Sequence, residues 1–306
     1  MKFNKHISYF VLLALLTTAC GDDAFDRPDY YDRTASTRLG QQLVDGSGDY
    51  IGHVKNDSET RPVQGVSLLR MGYLNAKGQA MQLFLYKVSL GDISIRVTLP
   101  GDKYDPGTLE NLTRQASILE DKSVYTVWGA VSGGPFGSNG QPTGILHHEG
   151  TALKESADAS SEGFFAILDD GQAVCLATAD YASVKHRIQE AVGGETRLIE
   201  NGYRLPQSSE TATARTAVGV SEDGGEVYLL TVDGSDFYYS NGISYDDMAA
   251  LMKGCGAHNS MTLCSSQNVT AVWRNERLST LFDLLNKPAN KGIESPIANG
   301  LAIVER

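Results

Sequence analysis

Short runs that alternate apolar and polar residues, cut by tight glycine-bearing turns, recur along this chain and restrict it to a turn-rich sheet protein. Residues 164–168 and 173–178 flank Asp169-Asp170-Gly171, and residues 216–221 and 226–232 flank Glu222-Asp223-Gly224-Gly225. Each set reads as two strands joined by a hairpin turn. By the same rule residues 82–88 and 93–97, separated by Leu90-Gly91-Asp92, read as an antiparallel pair. Residues 123–131, 261–264, 270–273 and 301–304 supply further strands. Helical spacing appears in fewer places. Leu109, Leu112, Ala116 and Leu119 share one stripe, and Tyr181, Val184, Ile188 and Ala191 predict a helix that stops at Gly193-Gly194. Ser244, with Asp247 three residues on, opens a third helix whose inner stripe is Met248, Leu251 and Met252. Strands outnumber helices and turns outnumber long crossovers. The expected class is therefore α+β, with mixed, mainly antiparallel sheets and a few packed helices in one large domain.

The N-terminus carries a different message. Lys2 and Lys5 precede an apolar run at residues 7–16, and Thr17, Thr18 and Ala19 lead directly into Cys20. The run is too short to span a bilayer as a mature helix. Residues 1–19 read as a lipoprotein signal peptide with Cys20 as the lipidated residue; the plainer alternative is a secretory peptide with an incidental cysteine. Gly21-Asp22-Asp23 resembles the acidic signal that directs some lipoproteins to the outer cell surface. The expected location is the bacterial cell envelope, as an outer-membrane lipoprotein held by lipid alone. Residues 20–62 are polar without a sustained period and read as a tether leading into a first edge element, and residues 63–306 form the domain. The net charge of −11 with no basic block argues against nucleic acid as a partner. Beyond Cys20, the cysteines Cys175, Cys255 and Cys264 allow at most one disulfide: either Cys255 and Cys264 are bridged, or all three are buried thiols.

Few constellations carry chemistry. Gly133-Gly134-Pro135-Phe136-Gly137 follows a strand but lacks the lysine and hydroxyl of a nucleotide loop. His147 and His148 are strand neighbours and point to opposite faces, so they do not form a metal pair, and no zinc spacing exists elsewhere. No nucleophile elbow is present. What remains is polar residues in glycine-flanked turns at strand ends: Arg215, Asp233-Gly234 and Ser240-Asn241-Gly242. Such places let a ligand approach backbone, although each is also an ordinary turn or surface pair.

The order of these pieces resembles the phosphodiester glycosidase family from about Val66 to Ile303. The landmarks are Val131-Ser132-Gly133-Gly134-Pro135-Phe136, Gly140-Gln141-Pro142-Thr143-Gly144, Asn201-Gly202, Arg215-Thr216-Ala217-Val218-Gly219, Val232-Asp233-Gly234, Tyr239-Ser240-Asn241-Gly242 and Ile297-Ala298-Asn299-Gly300. The resemblance implies a hydrolase that removes a sugar from a sugar-phosphate diester, with a carbohydrate or phosphoglycan ligand and no cofactor. It implies Asp233 and Arg215 as catalytic, the acid serving the cationic sugar carbon and the guanidinium the departing phosphate. It further implies Gly133, Gly134, Ser240, Asn241, Gly242 and Asn299 as substrate-binding.

The chain also departs from the family pattern. Where the family has Asn-Leu-Asp-Gly-Gly-Gly-Ser, Thr262 to Asn268 replace the acid by Cys264 and the glycines by Ser265, Ser266 and Gln267. Ser132 stands for an asparagine, and Glu294-Ser295-Pro296 for a Glu-Arg pair. These changes imply an altered or reduced activity. The alternative is a non-catalytic surface lipoprotein that binds sugar or phosphoglycan. Cys264 has no neighbouring base or cation in sequence to make it a nucleophile.

Overall fold

A computed structural model describes Pro28, residues 31–275 and residues 282–305. The expected signal peptide and Cys20 lie outside the described residues. In chain order the elements are α1 (Arg38–Gly46), β1 (Ile51–Val63), β2 (Val66–Asn75), β3 (Ala80–Ser89), β4 (Ile93–Thr98), α2 (Leu112–Lys122), β5 (Thr126–Ser132), β6 (Leu146–His148) and β7 (Thr151–Lys154). Then follow β8 (Gly163–Leu168), β9 (Ala173–Ala177), α3 (Tyr181–Val184), β10 (Ile188–Gly194), β11 (Arg197–Glu200), β12 (Tyr203–Arg204), β13 (Arg215–Val220) and β14 (Glu226–Val232). The chain closes with α4 (Tyr245–Cys255), β15 (Asn259–Ser265), β16 (Ala271–Arg274), β17 (Phe282–Leu284) and β18 (Gly300–Glu305).

The strands form three sheets. The largest runs β1-β2-β3-β14-β13-β15-β11-β12, and two five-stranded sheets run β7-β6-β10-β8-β9 and β17-β16-β5-β18-β4. Every ladder between these strands is antiparallel, in an α+β fold. One apolar core packs a face of the large sheet against both smaller sheets, joining Tyr86, Val218 and Leu229 to Val131, Phe165, Val192 and Ile303. The other face of the large sheet is covered by α1 and α4, where Leu43, Leu83, Val232, Leu251 and Met252 meet. The α4 cap is as expected. The Ser244 hydroxyl accepts the Asp247 N–H at 3.2 Å, and Gly256 ends the helix at φ 104°. Such a cap contributes about 1 kcal/mol.

Three expectations fail for identifiable reasons. Residues 38–62 are not a tether. Thr37 caps α1, Asp57 of β1 holds the Ser36 and Thr37 N–H groups at 2.8 Å, and Leu39, Leu43 and Val44 are buried. β1 is the edge strand of the large sheet. Residues 82–88 and 93–97 do not pair: β3 lies between β2 and β14, whereas β4 pairs with β18. Leu83 to Tyr86 are buried on both faces, so β3 is a central strand and not half of an exposed hairpin. The helix expected through Ala191 is a single turn at Tyr181–Val184 followed by β10. Tyr181, Ile188 and Ala191 do share one apolar cluster with Phe164, so the buried set was right and the period wrong. The helix at α2 keeps Leu112, Ala116 and Leu119 inside, while Leu109 precedes it and is exposed.

Candidate active site

Arg215 opens β13, opposite Val232 of β14 and Ser265 of β15. Its side chain is held rigidly. Nε donates to the Ile243 carbonyl at 2.9 Å, Nη2 donates to the Thr211 carbonyl at 3.0 Å, and the guanidinium lies 3.7 Å above the Tyr245 ring. Only 3% of the residue is exposed. Yet among the described residues no carboxylate comes within 4.0 Å of it. A buried cation held by carbonyls and a ring but by no carboxylate in salt-bridge contact keeps its charge available to an anion.

The carboxylate nearest this arrangement is one that sequence reasoning missed. Glu195 joins β10 to β11. The Tyr245 hydroxyl donates to its Oε2 at 3.4 Å and the Ser265 hydroxyl to its Oε1 at 3.5 Å. Burial raises the Glu195 carboxyl above its usual range, while the Arg215 charge and the two hydroxyls pull it back down. Glu195, Arg215, Tyr245 and Ser265 thus gather at one end of the large sheet. The signal was present: Glu195 directly follows Gly193-Gly194, an acid beside glycine at a strand end, as with Asp233.

Asp233 does not join Arg215. Because Val232 faces with Arg215 across the ladder, Asp233 turns to the opposite face of the sheet. There it is fully buried. Oδ1 accepts from Asn286 Nδ2 at 2.8 Å, and Oδ2 accepts from the Lys287 N–H at 2.9 Å and the Tyr239 hydroxyl at 3.1 Å. Burial pushes its carboxyl up to about 6 against the lowering effect of those three donors. The residues after it fasten the same loop. The Ser240 hydroxyl donates to the Asp233 carbonyl at 2.6 Å, and Asn241 Nδ2 donates to the Ala80 and Phe237 carbonyls at 3.0 and 3.1 Å. Gly242, at φ 89°, packs on the Thr213 backbone.

Gly133, Gly134 and Asn299 form a bracket. Asn299 accepts the Gly133 N–H through its carbonyl at 3.0 Å and the Gly134 N–H through Oδ1 at 2.8 Å. A Cβ on Gly134 would lie 2.3 Å from the Gly193 carbonyl oxygen, so this glycine lets two strand ends meet. The donors of both glycines are therefore already engaged. Ser132 is likewise occupied: its hydroxyl donates toward the Asn268 carbonyl at 2.7 Å and accepts the Thr270 N–H at 2.7 Å. Glu294 sits at the start of α2, bonded to the Thr113 N–H at 3.3 Å and to its hydroxyl.

No disulfide joins Cys255 and Cys264, which lie in different apolar clusters, and Cys175 is also a buried free thiol. Burial pushes the Cys264 thiol up to about 12, and Sγ is 3.4 Å from the Asn268 carbonyl. Ser266 has a left-handed φ of 61° in the turn that follows β15. His147 bonds the Tyr181 hydroxyl at 2.8 Å and His148 bonds Glu190 at 3.2 Å. Among the described residues no three His, Cys, Asp or Glu side chains are grouped to hold a metal.

Comparison with known proteins agrees with this architecture. The phosphodiester glycosidase family profile matches residues 125–304. The uncharacterized protein YigE of Escherichia coli is 27% identical over 135 residues, which is 41% of this chain and 53% of that relative; the match spans about half its length. The catalytic domain of zebrafish N-acetylglucosamine-1-phosphodiester alpha-N-acetylglucosaminidase, auto-inhibited by its pro-peptide, superposes with a TM-score of 0.60. It does so at 18% identity, over 82% of this chain and 88% of that one. A hypothetical protein from Synechocystis superposes with a TM-score of 0.63 at 12% identity, over 82% of this chain and 64% of that one.

Proposed function

This chain belongs to the phosphodiester glycosidase family, and from that premise we propose that it hydrolyses sugar-phosphate diesters of envelope glycans with Arg215 and Glu195. The observation that carries the reading is the buried guanidinium of Arg215, without a carboxylate within 4.0 Å among the described residues, near the Glu195 carboxyl whose proton affinity burial raises. In the proposed reaction Arg215 binds the phosphodiester and takes up the charge of the departing phosphate. Glu195, as the carboxylate, accepts a proton from water while the water oxygen bonds to the anomeric carbon. The bond from that carbon to the phosphate oxygen breaks, and its electron pair leaves with the phosphate. A carboxylate of raised proton affinity is the stronger base, and phosphate leaves without an acid's help. Asp233 then serves as the anchor of the 286–287 loop.

The test is hydrolysis of a panel of sugar 1-phosphodiesters by the full chain beside Glu195→Gln and Arg215→Met. Turnover should fall by about a hundredfold or more in each variant with the fold retained. Turnover unchanged in both would sink the assignment. A specific observation favours a second reading, a non-catalytic sugar or phosphoglycan binder: the Gly133 and Gly134 N–H groups are taken by Asn299, and Cys264 is buried where the family has an acid. Binding of the same diesters without turnover would select it.

The proposed location is the bacterial envelope, on a lipid anchor at Cys20. The support is the charged n-region, the apolar run and the small residues ending in cysteine. Cys20→Ala should leave the chain out of the membrane fraction and without label from radioactive fatty acid.

A further inference from the structure

We propose that this protein has a second ligand site, a single-ring cavity for a pyranose bearing one anionic group, formed between β1–β3 and the β16–β5 pair. The cavity has a volume of about 310 Å³. Trp128, Trp273, Tyr86 and Leu68 supply its aromatic and apolar lining, and Arg61 and Arg274 its cations. None of its lining residues bonds Glu195 or Arg215, so the inference stands apart from the hydrolase reading.

The lining is held in place from outside the cavity. Trp128 Nε1 donates to Glu305 at 3.0 Å, and Arg70 stacks over Trp273 with its guanidinium 4.7 Å from the ring centre. The Tyr86 hydroxyl donates to the Val272 carbonyl at 2.9 Å. It fits there because Gly129 has no side chain: a Cβ would lie 2.4 Å from that hydroxyl. The aromatic rings are thus organised before any ligand arrives, which spares the ordering entropy that weakens a flexible site.

Three properties select the ligand. The volume is at the low end of the range for small-molecule sites, about 300–1,000 Å³, and suits one ring. The half-buried Trp128 and Trp273 rings offer apolar contact to the C–H face of a sugar ring, over a buried floor of Tyr86 and Leu68. The chain carries a net charge of −11, yet no carboxylate residue lines this cavity and two arginines do, Arg274 being held by Glu120 and the Val127 carbonyl at 3.1 Å and Arg61 being the more mobile. Guanidinium groups match phosphate or carboxylate oxygens in paired hydrogen bonds. Among the described residues Arg61 is tied to Glu59, through Nε at 3.1 Å and Nη2 at 3.0 Å, and its side chain is 66% exposed, so it can turn to a ligand.

The chain has two tryptophans and both line the cavity, so intrinsic emission reads the site directly. The full chain would be titrated with glucose 6-phosphate, glucuronate and glucose. Saturable emission changes are expected with both charged sugars, with glucose weaker by about tenfold. Arg61→Ala should remove that preference, while Trp273→Ala should abolish binding. Arg61 is a surface residue, so its variant keeps the test open if Trp273→Ala does not fold. Glu195→Gln should bind the charged sugars like the parent. No emission change with any of the three sugars, an equal response to glucose, or loss of binding in Glu195→Gln would each overturn the proposal.

Discussion

Asp233→Asn separates an anchoring acid from a reacting one through its effect on stability against pH. The Asp233 carboxyl is pushed from an ordinary 3.8 up to about 6. Between those values the native protein keeps a proton that the unfolded chain has already lost. The contribution of the group is therefore complete below about pH 4 and declines as pH rises through about 6. Over some two pH units, at about 1.4 kcal/mol per unit, the decline is about 3 kcal/mol. Asparagine cannot ionise, so the variant lacks this decline. It also puts an NH₂ where an oxygen accepted from Asn286, Lys287 or Tyr239, which loses at least one hydrogen bond and costs about 1–3 kcal/mol at low pH. Urea unfolding of parent and variant at half-unit steps from pH 4 to 7.5 would measure the difference, in which groups distant from Asp233 cancel. The stability of the parent relative to the variant should fall by about 3 kcal/mol across that range, closing or reversing the low-pH gap. Parallel curves would refute the raised carboxyl and the burial argument behind it.

The remaining tests address the neighbouring parts. Gly134→Ala should lower stability by about 2–3 kcal/mol, since its Cβ would meet the Gly193 carbonyl oxygen at 2.3 Å; an unchanged unfolding midpoint would contradict that close approach. Cys175, Cys255 and Cys264 should resist iodoacetamide in the native chain and react once urea unfolds it, as mass spectrometry would read. Rapid native labelling of Cys264 would contradict a buried thiol raised to about 12. Ser266→Gly should stabilise the chain by about 0.5 kcal/mol, because release from the left-handed φ of 61° exceeds the added freedom of the unfolded glycine. A lower unfolding midpoint in that variant would count against the loop geometry.

How much was legible depended on whether a local rule met a competing one. The β8–β9 and β13–β14 hairpins were readable because their turns carry acid-glycine pairs and each strand keeps its turn-linked neighbour as a partner on one side. The α4 helix was readable from its serine cap and its buried stripe. β3 and β4 misled because a turn between two strands says that the chain bends, not that the strands become partners. Here the Leu90 N–H goes to the Gly225 carbonyl and the chain passes from one sheet to another. Residues 181–191 misled because Tyr181, Val184, Ile188 and Ala191 satisfy a helical period, while Ile188 to Val192 gain more from pairing inside a sheet. Arg215 and Asp233 were both visible as polar residues at strand ends. That they face opposite sides follows from a pairing register, which a single sequence does not state.

Glu195 bears electrostatically on the thiol at position 264 as well as on Arg215. The negative charge of Glu195 acts on Cys264 and, with burial, keeps its thiol protonated. The same carboxyl accepts from Ser265, the next residue in the chain, and shares Tyr245 with Arg215. An ionised acid at position 264 would place a second negative charge within electrostatic reach of Glu195 and raise its carboxyl further. In the proposed reaction the carboxylate comes from the junction of β10 and β11 and the cation from the start of β13. Ser266, in the turn that follows β15, occupies the left-handed conformation that glycine adopts most readily.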